Sequence, residues 1–125
     1  MASPHDRSVA VLVVEDEYLI RIDTTSYLES AGFIVFEAEN SAEAIRCLEL
    51  QAEIRLIFTD INMPGSMDGL ALAHYVRGRW PPVKIIVTSG YKKMLRDDLP
   101  TGALFVEKPY YPKNIADKMN QLMAA

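Results

Sequence analysis

Five short apolar runs punctuate the chain: Ala10–Val14, Phe33–Phe36, Ile54–Thr59, Lys84–Val87 and Ala103–Glu107. Each is only a few residues long and rich in Val, Ile or Phe, the pattern of strands buried on both faces. Between them the apolar positions recur at three- and four-residue spacing. Ile20, Tyr27, Leu28 and Ala31 predict the inner face of a helix over Tyr18–Ala31 that stops at Gly32. Asn40 with Glu43 three residues on marks the start of a second helix with Ala44, Ile45 and Leu48 buried. Asp68 can cap a third, whose stripe is Leu72, Ala73 and Val76, with Trp80 beyond and Pro81-Pro82 as its stop. Lys92–Asp98 has room for only a short fourth helix before Pro100 and Gly102. Pro112 suits the first turn of a last helix carrying Ile115, Met119, Leu122 and Met123.

Strands alternating with helices imply an α/β domain, a parallel sheet covered on both faces and joined by right-handed crossovers. The first, third, fourth and fifth strands are expected side by side. The second, ending in Glu37-Ala38-Glu39, is expected at an edge. A length of 125 residues suits one such domain over residues 9–125, with 1–8 as a loose polar tail in which His5 is idle. The net charge of −4 removes any electrostatic reason to bind nucleic acid or an anionic membrane. No apolar run approaches the roughly 20 residues of a membrane span, and Met1–Ser8 lacks the apolar core of a signal peptide, so the cytoplasm is the expected compartment. A single Cys47 excludes an internal disulfide and reads as packing. His74 falls off its helix's stripe and reads as solvated, and Tyr91, Tyr110 and Tyr111 read as an interface near the strand ends.

The chemistry concentrates just past the strands. In a parallel sheet all carboxyl ends share one rim, where open α/β sheets bind their ligands. That rim collects Glu15, Asp16, Asp60, Thr88 and Lys108. Two carboxylates at ~4 Å in an effective dielectric of ~20 repel by about 4 kcal/mol, so three together call for a cation. Oxygen ligands with open positions suit Mg²⁺, with Mn²⁺ as a substitute. Asp60 can then attack phosphorus in line, with Lys108 as a positive point charge and Thr88 as a hydroxyl donor. An aspartyl-nucleophile phosphatase would want a second acid two residues after the nucleophile, and Asn62 stands there. A flavin binder would want a phosphate loop where Glu15-Asp16-Glu17 would repel one.

Four segments together carry a family likeness: Val13-Val14-Glu15-Asp16-Glu17; Thr59-Asp60-Ile61-Asn62-Met63-Pro64 with Met67-Asp68-Gly69; Thr88-Ser89-Gly90; and Phe105-Val106-Glu107-Lys108-Pro109-Tyr110. In this order and at these strand ends, the chain resembles the receiver domain of bacterial two-component response regulators from Val9 to Met123. The resemblance implies a flavodoxin-like (βα)5 doubly wound sheet of order 2-1-3-4-5 in three α/β/α layers. It implies that Asp60 accepts a phosphoryl group from a phosphohistidine on a sensor histidine kinase or a histidine phosphotransfer protein. By the same resemblance Glu15, Asp16, Asp60 and the backbone carbonyl of Asn62 hold Mg²⁺, Ser89 and Lys108 contact the phosphoryl group, Thr88 and Phe105 form a switch pair, and Lys108-Pro109 is cis. The signalling surface would be the fourth helix, the fifth strand and the last helix, for a downstream protein or a second copy of the chain. Such a module catalyses only its own phosphotransfer and dephosphorylation. The chain is expected either to stand alone or to be the receiver piece of a hybrid kinase or larger regulator. A scaffold that takes no phosphate would have lost an acid or the lysine, and all are present.

Overall fold

The computed structural model describes residues 8–90 and 98–124. Its elements run β1 (Ala10–Val14), α1 (Tyr18–Ser30), β2 (Ile34–Ala38), α2 (Ser41–Leu50), β3 (Ile54–Asp60), α3 (Gly69–Arg79), β4 (Lys84–Ser89), β5 (Leu104–Glu107) and α4 (Pro112–Ala124). All strand pairs are parallel and the order is β2-β1-β3-β4-β5, as expected, with β2 at one edge. The short helix anticipated over Lys92–Asp98, Tyr91 and the tail with His5 lie outside the described residues, save that Asp98 itself is described and Ser8 precedes β1.

Side-chain alternation along the central strands divides the core in two. Leu12, Val14, Ile57, Ile85 and Val87 pack on Ala44 and Leu48 of α2 and Leu72, Ala73 and Val76 of α3. Val11, Val13, Leu56, Phe58 and Ile86 face Leu28 of α1 and Ile115 and Met119 of α4. The three layers follow from that split. Cys47 is half-buried against the first cluster, as packing requires. The caps form as the sequence indicates: the Asn40 side chain accepts from the Glu43 N–H at 2.9 Å and Asp68 from the Ala71 N–H at 2.8 Å.

Two expectations need correction. Of the inner face expected for α1, Leu28 is fully buried and Ile20 half-buried, but Tyr27 and Ala31 are exposed, and Thr24 and Thr25 are buried in their place. The Thr24 hydroxyl tolerates burial because it shares a 3.0 Å hydrogen bond with the Tyr110 hydroxyl. The second strand begins and ends later than its apolar run, because Phe33 is buried ahead of it and the edge position lets Glu37 continue the ladder facing outward. His74 is exposed, as anticipated, but its Nε2 lies 2.7 Å from the Asp98 carbonyl oxygen.

Candidate functional site

Backbone ladders running one residue past the strands assemble the rim. The Glu15 N–H donates to the Ala38 carbonyl (3.0 Å), Ile61 to Thr88 (2.9 Å) and Lys108 to Ser89 (3.0 Å). Asp60 itself pairs with Thr88 in the β3/β4 register. These pairings bring one carboxylate oxygen from each of Glu15, Asp16 and Asp60 within 4.8 Å of one another. Glu15 and Asp60 are buried, while Asp16 is exposed and opens the cup to solvent.

Lys108 closes the cup from just past the end of β5. Its Nζ donates to Asp60 Oδ2 at 2.8 Å and lies 3.6 Å from Glu15 Oε1. Burial would lower this ammonium's pKa, but the hydrogen bond and charge of Asp60, together with Glu15, more than offset it and hold the pKa above its ordinary value. The other Asp60 oxygen, Oδ1, accepts from the Asn62 N–H at 3.1 Å, and the Asn62 amide donates to Ser89 Oγ at 3.1 Å. The β4/β5 register sets Val87 beside Phe105 and Thr88 beside Val106, so Thr88 and Phe105 stand one register position apart on neighbouring strands. The Lys108-Pro109 peptide is cis.

Tyr110 follows that peptide and is only half-exposed. Its ring meets Phe58 edge-on at 5.3 Å and its hydroxyl meets Thr24, so it braces the lysine loop against α1 and β3. Tyr111, by contrast, is 76% exposed.

Two buried oxygens here lack a hydrogen bond: Glu15 Oε1, which has only its 3.6 Å ion pair with Lys108, and Thr88 Oγ1. Orphaned oxygens are costly, and both are the kind a divalent cation or a phosphoryl oxygen would satisfy. The donor set therefore fits Mg²⁺. Burial, followed by the Asp60 charge, outweighs the Glu17 N–H bond and the Lys108 charge and raises Glu15 from the usual carboxylate range to about 7. The folded, metal-free protein thus binds this proton more tightly than the unfolded chain. That stabilisation is full below about pH 4.5 and is lost as pH rises through about 7. Urea unfolding in excess chelator should show that decline for the wild type and a flatter profile for Glu15→Gln.

Gly69 is a site residue whose role the sequence pattern left unassigned. Its N–H donates to the Ile61 carbonyl at 2.9 Å, and a Cβ there would lie 1.8 Å from the Asp60 carbonyl oxygen. The start of α3 is therefore seated directly on the strand end that presents Asp60. The signal was its place in Met67-Asp68-Gly69, directly after the Asp68 cap, where any helix former would have looked equally suitable.

A parallel five-stranded α/β sheet with a buried aspartate, two neighbouring acids and a lysine on one rim defines the receiver class. The model of the response regulator receiver domain family matches residues 11–120, and the chain belongs to that family. Sensor kinase CckA of Brucella abortus is 34% identical over 120 residues, which cover 93% of this chain and 13% of the kinase. The response regulator receiver protein CpdR of the same organism is 29% identical over 118 residues, covering 92% of this chain and 97% of that protein. Among solved structures, a response regulator receiver protein from Sinorhizobium medicae superimposes with a TM-score of 0.87 at 28% identity, covering 95% of this chain and 97% of the other. The chain thus spans nearly all of CpdR but only a small part of the kinase, and half of other relatives. Among the described residues no helix is long and apolar enough to cross a membrane.

Proposed function

We propose that residues 9–125 form a two-component receiver unit in which Asp60 accepts a phosphoryl group from a phosphohistidine of a sensor histidine kinase or histidine phosphotransfer protein. The observation that carries this reading is the buried Asp60 carboxylate, held by Lys108 at 2.8 Å and Asn62 at 3.1 Å beside two further acids. Glu15, Asp16, Asp60 and the Asn62 carbonyl would hold Mg²⁺. When bound, the ion offsets the repulsion of the acids and stabilises charge on the phosphoryl oxygens.

The chain's own groups do the rest. An Asp60 carboxylate oxygen forms a bond to phosphorus as the donor's N–P bond breaks, and the departing imidazole nitrogen keeps that electron pair. Lys108 Nζ, freed from Asp60 Oδ2, turns to a phosphoryl oxygen. The orphaned Thr88 hydroxyl and Ser89 supply further hydrogen bonds, and the movement of Thr88 leaves space for Phe105 to turn inward. β5 and α4 carry the changed surface to a downstream protein or to a second copy of the chain. A cleft of about 620 Å³ lined by Leu19, Ile20, Thr24, Lys108 and Tyr110 gives the donor protein apolar ground beside the lysine. Release of phosphate by attack of water on the same acyl phosphate would reset the unit in the cytoplasm. The likeness to one segment of a sensor kinase supports a second setting, the receiver of a hybrid kinase, with the same chemistry at Asp60.

Incubation with acetyl phosphate and Mg²⁺, followed by intact mass, tests the reading. One phosphoryl group should be gained, and none in excess chelator. Uptake that persists without metal would overturn it.

A further inference from the structure

The acid loop between β1 and α1 is held from outside the cup. Arg21, on the first turns of α1, keeps only 11% of its side chain exposed, and its guanidinium is divided between two partners. Nη1 donates to the backbone carbonyl of Glu15 at 2.8 Å, and Nε donates to Glu37 Oε1 at 3.1 Å. The same group lies 5.5 Å from the centroid of the Tyr18 ring. Glu37 belongs to the edge strand, whose next residue, Ala38, accepts the Glu15 N–H at 3.0 Å. Both backbone groups of Glu15 are therefore tied to the end of β2, one directly and one through Arg21 and Glu37. Its side chain is tied as well, because Oε2 accepts from the Glu17 N–H at 3.1 Å.

We propose that Arg21 is a positioning residue: by clamping the Glu15 carbonyl to Glu37 it fixes the path of the Glu15-Asp16 loop, and so sets how tightly the cup binds its divalent cation. The inference rests on the metal-assisted reading above and deepens it, since the Arg21 guanidinium bonds the Glu15 backbone and Glu37 rather than any of the cup's three carboxylates. The clamp acts by preorganisation. Three mutually repelling acids spread apart unless their backbone is fixed, and a cation that must first gather them binds less tightly. Only a guanidinium suits the place, because its planar fork serves a carbonyl and a carboxylate from fixed directions, whereas an ammonium is a compact point charge. Arg21 thereby gives the Glu37 side chain of the second strand a role at the site, beside the direct backbone bond from Glu15 to Ala38.

The test compares wild type, Arg21→Met, Arg21→Lys and Glu37→Gln by titrating Mg²⁺ against the amide resonances of residues 15–17, and by measuring acyl phosphate formation at limiting and saturating Mg²⁺. Arg21→Met keeps an apolar stem, and should weaken Mg²⁺ binding about tenfold while the rate at saturating Mg²⁺ stays within twofold of wild type. Faster hydrogen exchange at the amides of Glu15 and Asp16 should accompany the loss in metal-free protein. Arg21→Lys should recover only part of the affinity. Glu37→Gln alters a more exposed partner and decides the matter should Arg21→Met not fold; a shift of about threefold is expected. Wild-type Mg²⁺ affinity in a folded Arg21→Met, or in Glu37→Gln if that variant alone folds, would overturn the clamp. Absence of Mg²⁺ binding and phosphoryl uptake in the wild type would instead overturn the reading on which it stands.

Discussion

Gly69→Ala should unfold at a markedly lower urea concentration than wild type, by about 3 kcal/mol or more, and the folded remainder should take up phosphoryl groups at least tenfold more slowly. Helix propensity argues the other way, since alanine in a helix is better than glycine by about 1 kcal/mol. Sterics decide the sign. The added carbon would lie 1.8 Å from the Asp60 carbonyl oxygen, 2.6 Å from its carbon and 2.7 Å from Ile61 Cα, all backbone atoms with no rotamer to yield. Relief requires moving the start of α3 or the end of β3 by roughly 1 Å, which belongs at or above the upper end of the usual overpacking cost of about 1 to 3 kcal/mol. A displacement of that size at the nucleophile can alone cost about a hundredfold in rate. A variant as stable and as reactive as wild type would show that α3 is not seated on the strand end.

Removing the lysine should expose the repulsion it masks. In Lys108→Ala the Asp60 and Glu15 carboxylates, each 3% exposed, lose their cation. Breaking a buried pair costs about 3 to 5 kcal/mol, and the partial exposure of Lys108 (22%) brings the expectation to about 2 to 4 kcal/mol at pH 8 without metal. The fold should persist. Lowering the pH toward 6 should recover part of the loss, because Glu15, already raised to about 7, takes up a proton more readily once the ammonium is gone. Saturating Mg²⁺ should recover more of it, since a divalent ion restores the missing charge. Urea unfolding at both pH values, with and without Mg²⁺, checks both outcomes. A penalty indifferent to metal and pH would mean that Lys108 acts through packing rather than charge.

The strands and the rim were legible for one reason: a strand buried on both faces leaves a continuous apolar run, and parallel pairing then puts every run's last polar residue on the same side. Asp60, Lys108 and Thr88 could be placed together from that alone. What escaped depends on contacts between residues far apart in the chain. Thr24 and Thr25 do not figure in the apolar stripe of α1, and nothing nearby announces that Tyr110, 86 residues away, will meet the Thr24 hydroxyl. Arg21 and Glu37 likewise look like ordinary surface charges until β2 pairs with β1. Gly69 carried a helix-start pattern but no hint of the backbone oxygen beneath it. Apolar periodicity reports burial, and is silent on close backbone approach and on polar pairs that closure of the fold creates.

The most direct measurement is to treat the protein with acetyl phosphate and Mg²⁺, reduce the acyl phosphate with borohydride, and map the reduced carboxyl by peptide mass. The account requires the mark at Asp60, the one rim carboxylate held by both Lys108 and the Asn62 N–H. A mark on Glu15, Asp16 or any other acid, in protein shown by intact mass to carry a phosphoryl group, would contradict it.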